Sequence, residues 1–227
     1  VEDNADMQPL LAYESGQQAL LFGTNCGLNL STDGGDTWQE IPDLAGEEIF
    51  EVVTDRSAPL EQILVVGVTE GGTGRLFLLD TEDPLSPDLV GAINQFFGSA
   101  TLDWRDGRIV LATIAGVAVS DNLGGDWTLS RDGLESATLP GNPLQENITA
   151  DEWDPYPLFE SVVIDPENLD RIWVGGNLGA FMSEDGGSTW ERLGSEDAVE
   201  SIVISRLTDR VFVSADGVTR IWSLDGS

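Results

Sequence analysis

Short apolar runs recur along the chain at a period of roughly 40–45 residues. Each run is apolar almost throughout instead of alternating with polar residues, which is typical of a strand that is buried on both faces. A second strand that begins with glycine follows each run. The five apolar runs lie at 19–23, 62–66, 108–112, 171–175 and 210–214. No stretch shows sustained helical periodicity, so the pattern predicts an all-β chain.

With the further apolar strands that precede several runs, the chain divides into five repeats of up to four short strands. Small four-stranded sheets at this period are typical of a β-propeller, with about five blades visible here. We expect one domain over 1–227, with repeats near 9–43, 48–92, 98–130, 158–194 and 198–227 and an inserted loop at 130–157. The sequence leaves open whether five blades close a ring or the chain is part of a longer protein. The missing initiator Met favours a processed or truncated chain.

One motif recurs between the third and fourth strands of the repeats. It reads STDGGDTW at 31–38, SEDGGSTW at 183–190, SDNLGGDW at 120–127 and SLDGS at 223–227. Glycine supplies the positive φ of a tight turn, and Ser and Asp side chains can bond to turn amides. The Trp can pack back over the turn. The motif positions are Ser31, Asp33, Gly35, Trp38, Ser120, Asn122, Gly124, Trp127, Ser183, Asp185, Gly187, Trp190, Ser223 and Asp225.

This pattern resembles the Asp-box, or bacterial neuraminidase repeat. The resemblance implies a β-propeller of four-stranded blades in which the boxes stabilise turns on the blade periphery, away from ligands. A calcium-loop reading needs regularly spaced oxygen ligands and a final Glu, and that spacing is absent, so we predict no metal site. The second repeat has lost its box, and 79–82 stands in its place.

Charge narrows the range of partners. The chain has 41 acidic and 10 basic residues, which gives a formal net charge of −31. Such a surface repels nucleic-acid phosphates and anionic lipid, so we predict no nucleic-acid partner. A solvated acidic surface, a salt-rich source and a partner with a basic face all remain compatible with this charge.

The composition also limits the chemistry. His and Lys are absent and Cys26 is the only cysteine, which excludes Ser-His, Cys-His and Lys-based catalysis, His-based metal sites and a disulfide within the chain. We expect Cys26 to be a small buried residue. We also expect no cofactor, and no signal peptide or membrane span in these residues.

The Asp-box propellers that this chain resembles include sialidases, xyloglucan-type glycoside hydrolases, sortilin-like receptors and assembly factors of photosynthetic complexes. The sialidase pattern needs an Arg-Ile-Pro near its start, which is absent here, and a Tyr nucleophile, whereas Tyr occurs only at Tyr13 and Tyr156. A glycosidase that uses two carboxylates is harder to exclude because acidic residues are so numerous. Asp103 and Asp154 are the best candidates for such a pair, and we assign no catalytic residue.

The connection at 130–157 is much longer than the connections between the other repeats. A connection of this length in a compact domain is usually functional or disordered. Since strands alternate in direction, it should lie on the face opposite the boxes, together with Asn25, 69–74 and Asn177. Its aromatic and acidic residues predict an interaction surface, although the aromatics could instead pack the loop onto the blades. The candidates are Asp151, Glu152, Trp153, Asp154 and Tyr156.

Degenerate boxes, absent catalytic residues and this loop favour a non-catalytic scaffold that binds a protein. The resemblance implies an extracytoplasmic subunit, or an assembly or stability factor, of a membrane complex such as a photosynthetic one, located in the periplasm or secreted. The alternative is a glycoside hydrolase or carbohydrate-binding propeller that acts on polysaccharide. A fragment of a sortilin-like ligand receptor is a third reading.

Overall fold

The structure, a computed structural model, describes residues 11–13, 19–54, 62–69, 73–80, 83–93, 101–113, 116–134, 159–177, 179–194, 197–205, 207–215 and 217–223. Within these ranges the chain forms β-strands and one short 3-10 helix, Pro42–Leu44. None of the described helical segments is long and apolar enough to cross a membrane.

The strands form five antiparallel sheets, and each sheet follows the order of the chain. The first sheet contains β1 (Leu11–Tyr13), β2 (Ala19–Thr24), β3 (Gly27–Ser31) and β4 (Gln39–Glu40). The second contains β5 (Glu48–Thr54), β6 (Gln62–Val68), β7 (Gly74–Asp80) and β8 (Asp88–Ile93). The third contains β9 (Thr101–Arg105), β10 (Arg108–Thr113), β11 (Gly116–Ser120) and β12 (Thr128–Ser130). The fourth contains β13 (Phe159–Ile164), β14 (Ile172–Gly176), β15 (Gly179–Ser183) and β16 (Glu191–Leu193).

The fifth sheet has three strands among the described residues, β17 (Val199–Ser205), β18 (Arg210–Ala215) and β19 (Val218–Ser223). Sequential antiparallel strands joined by short turns are the arrangement that the repeats predict. The predicted all-β architecture of four-stranded blades, about five in number, is therefore confirmed.

The chain divides into two compact units. The first comprises 1–96, 104–107 and 122–126, and the second comprises 97–103, 108–121 and 127–227. The prediction of a single domain over 1–227 stays a prediction.

The core of the first unit lies between its two sheets. In β2, buried residues alternate with half-buried ones, whereas every residue of β6 after Gln62 is buried. The continuous apolar run of β6 thus reflects burial of both faces, as the sequence indicated. The cluster contains Ala19, Leu21, Leu28, Leu30, Ile41, Leu44, Ile49, Ile63, Val65, Phe77 and Leu79.

The second unit has two apolar clusters, one on each face of β14. Ile172 and Val174 belong to a cluster shared with the third sheet, and Trp173 belongs to a cluster shared with the fifth. Burial of each such side chain contributes about 1.5–3 kcal/mol, so a strand that is apolar on both faces holds three sheets together.

Candidate functional site

The Asp-box segments 31–38, 120–127 and 183–190 are named here the first, second and third box turns. In the first, the Ser31 hydroxyl donates to Asp33 Oδ1 at 2.8 Å and accepts the Gly35 N–H at 2.8 Å. Asp33 Oδ1 also accepts the Thr37 N–H at 2.8 Å, and Oδ2 accepts the Thr37 hydroxyl at 2.6 Å. Both carboxylate oxygens therefore serve the turn itself.

The third box turn repeats this network with the same atoms. Ser183 donates to Asp185 Oδ1 at 2.8 Å and accepts the Gly187 N–H at 2.8 Å. Asp185 accepts the Thr189 N–H at 2.9 Å and the Thr189 hydroxyl at 2.6 Å. Gly187 has a φ of 90°, a conformation that favours glycine and lets the amide point back at the Ser hydroxyl.

These hydrogen bonds stabilise the ionised carboxylates. The Thr37 hydroxyl, the Thr37 N–H and the Ser31 hydroxyl lower the pKa of Asp33 to about 2. The Thr189 hydroxyl and N–H likewise lower the pKa of Asp185. A carboxylate that is ionised this readily is a poor proton donor at neutral pH.

The second box turn achieves the same bend with different chemistry. Asn122 Oδ1 accepts the Asp126 N–H at 2.9 Å, and Asn122 Nδ2 donates to Asp126 Oδ2 at 3.0 Å. Ser120 is buried, and Gly124 has a positive φ of 88°. An amide acceptor thus substitutes for the carboxylate of the other two turns.

The three tryptophans differ in burial. The Trp38 indole donates to Gly35 O at 3.1 Å and is 44% exposed, with Phe22 at 5.8 Å between ring centroids. The Trp190 indole makes the equivalent bond to Gly187 O at 3.2 Å but is buried in the core of the second unit. Trp127 is half-buried.

The remaining predicted positions are only partly covered by the structure. Ser223 ends β19 and lies opposite Arg210 on β18, and Asp225 lies outside the described residues. The candidates of the inserted loop, Asp151, Glu152, Trp153, Asp154 and Tyr156, also lie outside them. Their proposed roles stay predictions.

A cleft of about 200 Å³ lies beside the third box turn, within the second unit. Arg108 enters it and donates to Asp121 Oδ1 at 2.5 Å, to Leu169 O at 2.7 Å and to Asp170 Oδ1 at 3.1 Å. Burial lowers the pKa of Arg108, but the hydrogen bonds that its guanidinium donates to Asp121 and Asp170, and the attraction of these carboxylates, outweigh burial and raise that pKa. Arg108 is the only basic residue that lines the cleft, and its guanidinium is thus hydrogen-bonded to groups of the protein itself.

Arg108 begins one of the recurring apolar runs, but nothing in the sequence pattern predicted this network. Within the described residues, no group of three or more His, Cys, Asp or Glu side chains is placed to bind a metal ion.

A partly buried ion pair lies in the first unit. Glu47 directly precedes β5, is buried and pairs with Arg75 of β7. The Arg75 guanidinium also lies 5.5 Å from the centre of the Phe77 ring. Gly67 is opposite Arg75 in the sheet register, and a Cβ there would lie 3.2 Å from the Glu47 Cβ. The sequence offers no local signal for this pair among so many carboxylates.

Two expectations for single residues change. Cys26 is exposed, not buried, and its thiol donates to Asn25 Oδ1 at 3.3 Å. The cysteine lies at the turn between β2 and β3, where the chain reverses beyond the sheet. Asp103, one of the two candidate glycosidase carboxylates, is buried, and its Oδ2 accepts the Ile164 N–H at 2.8 Å.

The fifth sheet carries an apolar row that the sequence interpretation did not single out. Val203, Phe212 and Ile221 lie opposite one another on β17, β18 and β19. Val203 is 57% exposed and Ile221 52% exposed, and Phe212 between them is half-buried. No alternation marks the row in the sequence, because residues 202–204 and 211–213 are all apolar, although the buried Ile202 and Val213 lie on the other face.

Neither a protein-family model nor a curated protein sequence matches the chain. Solved structures do. A GH74 enzyme from Niastella koreensis is 15% identical, with a TM-score of 0.63 over 96% of this chain and 36% of that one. The extracellular domain of the putative one component system BT4673 from B. thetaiotaomicron is 15% identical, with a TM-score of 0.63 over 100% of this chain and 28% of that one.

A structure of YCF48 bound to D1 peptide is 17% identical, with a TM-score of 0.54 over 98% of this chain and 67% of that one. This chain spans about a third of the length of the GH74 enzyme and less than a third of the BT4673 domain. Likeness at this identity establishes the fold, and the predicted β-propeller fold is confirmed.

Proposed function

We propose that the chain is a non-catalytic β-propeller that binds a protein partner as a scaffold. We place it as an extracytoplasmic subunit, or an assembly or stability factor, of a membrane complex such as a photosynthetic one. The observation that carries the proposal is the apolar row Val203, Phe212 and Ile221 on the fifth sheet, in which Val203 and Ile221 are exposed.

The row lies on the face of the fifth sheet that is turned away from the fourth sheet. On the other face of the same sheet, Ile202, Val211 and Val213 are buried against the fourth sheet. The fifth sheet therefore carries apolar side chains on both faces. A contiguous apolar surface of this kind favours a contact with another protein, because covering it contributes about 25 cal/mol per Å².

The structural relatives support parts of this proposal. YCF48 is a propeller that was solved with a bound peptide, and BT4673 contributes an extracellular domain of the same fold. We extend peptide binding and an extracytoplasmic location to this chain by that likeness. The loop residues 151–156 remain the proposed second part of the partner surface, and the net charge of −31 supports a partner with a basic face and no nucleic acid.

The alternative, a glycoside hydrolase or carbohydrate-binding propeller, is favoured by the likeness to the GH74 enzyme. The described carboxylates give it less support. Asp103 is buried and bonded to a backbone amide, and the pKa values of Asp33 and Asp185 are lowered. A glycosidase needs a general acid whose pKa is raised.

Affinity capture after cross-linking in cells of the source organism tests the proposal. A Val203→Glu/Ile221→Glu variant should lose the captured protein, because two charges replace the apolar row. Leu207→Glu is the matched control, since Leu207 is 99% exposed in the turn between β17 and β18. It should capture the same protein as the wild type. Identical capture by all three proteins would contradict the proposal.

An assay with xyloglucan separates the two functions. We expect no release of reducing sugar by the purified chain. Hydrolysis that survives the Val203→Glu/Ile221→Glu substitutions would establish the alternative.

A further inference from the structure

We propose that the folding of this chain is coupled to the salt concentration around it, because the folded state brings together carboxylates that only dissolved cations can screen. The chain is therefore suited to a salt-rich medium, and its folded state loses stability as the salt is diluted. This inference concerns the whole chain and does not rest on the proposed function.

The arginines of the chain are too few to compensate the carboxylates. If each of the 10 basic residues paired with one carboxylate, 31 of the 41 acidic residues would still lack a basic partner. Described arginines are also engaged at specific points of the fold. Arg75 pairs with Glu47, whose side chain is 4% exposed, and Arg108 links the third sheet to the fourth through Asp170. Such contacts fix strands and turns and leave the excess of carboxylates in place.

The segment around the first sheet shows the imbalance most clearly. No basic residue occurs in the sequence before Arg56. Asp36, Glu40, Asp43 and Glu48 are all exposed, and none of the ion pairs among the described residues includes any of them. Their charges are therefore compensated by the surrounding solution and not by the chain.

Exposed carboxylates are also distributed over all five sheets. One example on or beside each sheet, from the first to the fifth, is Glu40, Glu48, Asp126, Glu191 and Glu200. A contact with a basic protein covers about 800 Å² of each partner, so it would neutralise only the carboxylates on one part of the surface. Mobile cations reach every exposed carboxylate, which favours salt as the compensating agent.

Repulsion among these carboxylates acts mainly against the folded state. An unfolded chain is about twice as extended as a folded one or more, so its charges lie farther apart. The screening length falls from about 30 Å at 0.01 M salt, the diameter of a small domain, to about 3 Å at 1 M. At low salt the repulsion thus extends across a whole domain. Because folded domains are only marginally stable, this change is sufficient to shift the folding equilibrium.

Thermal unfolding of the whole chain at neutral pH, followed by near-ultraviolet circular dichroism, tests the inference. We expect the midpoint to rise by at least about 10 °C between about 0.02 M and 1 M KCl, with most of the rise below about 0.3 M, where the screening length changes most. A midpoint that is the same at both ends of the series would overturn the inference.

A charge-neutral variant shows whether the carboxylates cause the rise. Asp36→Asn/Glu40→Gln/Asp43→Asn/Glu48→Gln removes four of the 31 net charges, and the rise should be about a quarter smaller because repulsion scales with the square of the charge. At low salt this variant should also unfold at a higher temperature than the wild type.

The matched control, Asp36→Glu/Glu40→Asp/Asp43→Glu/Glu48→Asp, alters the same four positions and keeps their charge. It should retain the full rise of the wild type. An equal rise in the wild type and both variants would assign the effect to a general action of salt on proteins and would refute the inference. If the charge-neutral variant does not fold, the wild-type series by itself decides the question.

Discussion

The guanidinium of Arg108 lies 3.1 Å from the carboxylate of Asp170 and joins the start of β10 to the turn that precedes β14 in the next sheet. Arg108 also donates to Asp121 at the end of β11 and to Leu169 O. Arg171, at the matching position of the fourth sheet, reaches Glu184 within its own sheet. Arg108 therefore links the third sheet to the fourth, and it also bonds to Asp121 within the third sheet.

Removing this tie should destabilise the second unit. We expect Arg108→Ala to lower the free energy of unfolding by about 1–2 kcal/mol, because three acceptors lose a charged donor while the two carboxylates keep most of their exposure. Arg210→Ala is the matched control, since Arg210 occupies the corresponding strand start and is exposed. It should cost less than about 0.5 kcal/mol. Urea unfolding compares the two variants, and equal losses would contradict the assignment.

The sequence predicted the box turns because their signal is local. Ser, Asp, Gly and Thr within one turn complete the hydrogen-bond network themselves, so their spacing is sufficient. The tie from Arg108 to Asp170 spans 62 residues, and nothing in the spacing of so many acidic residues distinguishes Asp170. Glu47 and Arg75 were missed for the same reason.

Strand boundaries in the fifth sheet show another limit of sequence reasoning. The repeat pattern predicted that the third strand starts at Gly217, whereas β19 begins at Val218 and Gly217 lies in the turn with a φ of 72°. The pairing also differs: Ser223 lies opposite Arg210, whereas Ser120 lies opposite Ile109, the residue after Arg108. A shift of one residue exchanges the faces of a strand, and an apolar pattern without alternation does not fix it.

The first box turn should make acid stability depend on Asp33. Its pKa of about 2 in the folded protein lies below the ordinary value of 3.8. The ionised carboxylate therefore stabilises the fold above about pH 4, and this contribution is lost as pH falls toward 2. Asp33→Asn should lower the thermal midpoint at pH 5, and its difference from the wild type should shrink between pH 4 and pH 2.

A second variant isolates the cause of the pKa shift at Asp33. Thr37→Val removes the hydroxyl that lowers the pKa most, and should raise the Asp33 pKa toward its ordinary value while the Thr37 N–H bond persists. Titration of the carboxyl carbon by NMR measures this directly. An unchanged Asp33 pKa in Thr37→Val would show that the hydroxyl is not responsible.

The partly buried pair of Glu47 and Arg75 in the first unit should be sensitive to loss of one charge. Glu47→Gln leaves Arg75 opposite a neutral group, and breaking a fully buried pair costs about 3–5 kcal/mol. Because Arg75 keeps a third of its side-chain surface exposed, we expect about 1–3 kcal/mol in chemical unfolding. Glu48→Gln, at the neighbouring exposed position, should cost less than about 0.5 kcal/mol. Similar values for both variants would show that the pair does not stabilise the fold.

The close approach of Gly133 to the third box turn gives the most direct steric test. A Cβ on Gly133 would lie 1.9 Å from Trp190 O, and the Trp190 N–H donates to Asp132 O at 2.9 Å beside it. Gly107 has a similar positive φ, 78° against 88°, but no described atom lies within 4 Å of its Cβ position. A comparison of Gly133 with Gly107 therefore separates the cost of backbone strain from the cost of a steric clash with Trp190.

We expect Gly107→Ala to cost about 1 kcal/mol, the cost of placing alanine in a left-handed conformation. Gly133→Ala should cost about 2–4 kcal/mol, because the backbone of the box turn must also move to relieve overpacking. Hydrogen exchange of the Trp190 amide should accelerate in Gly133→Ala and stay unchanged in Gly107→Ala, since only the first substitution displaces the acceptor Asp132 O. If both variants lose the same stability and Trp190 exchange is unaffected, the third box turn is not held by the segment after β12.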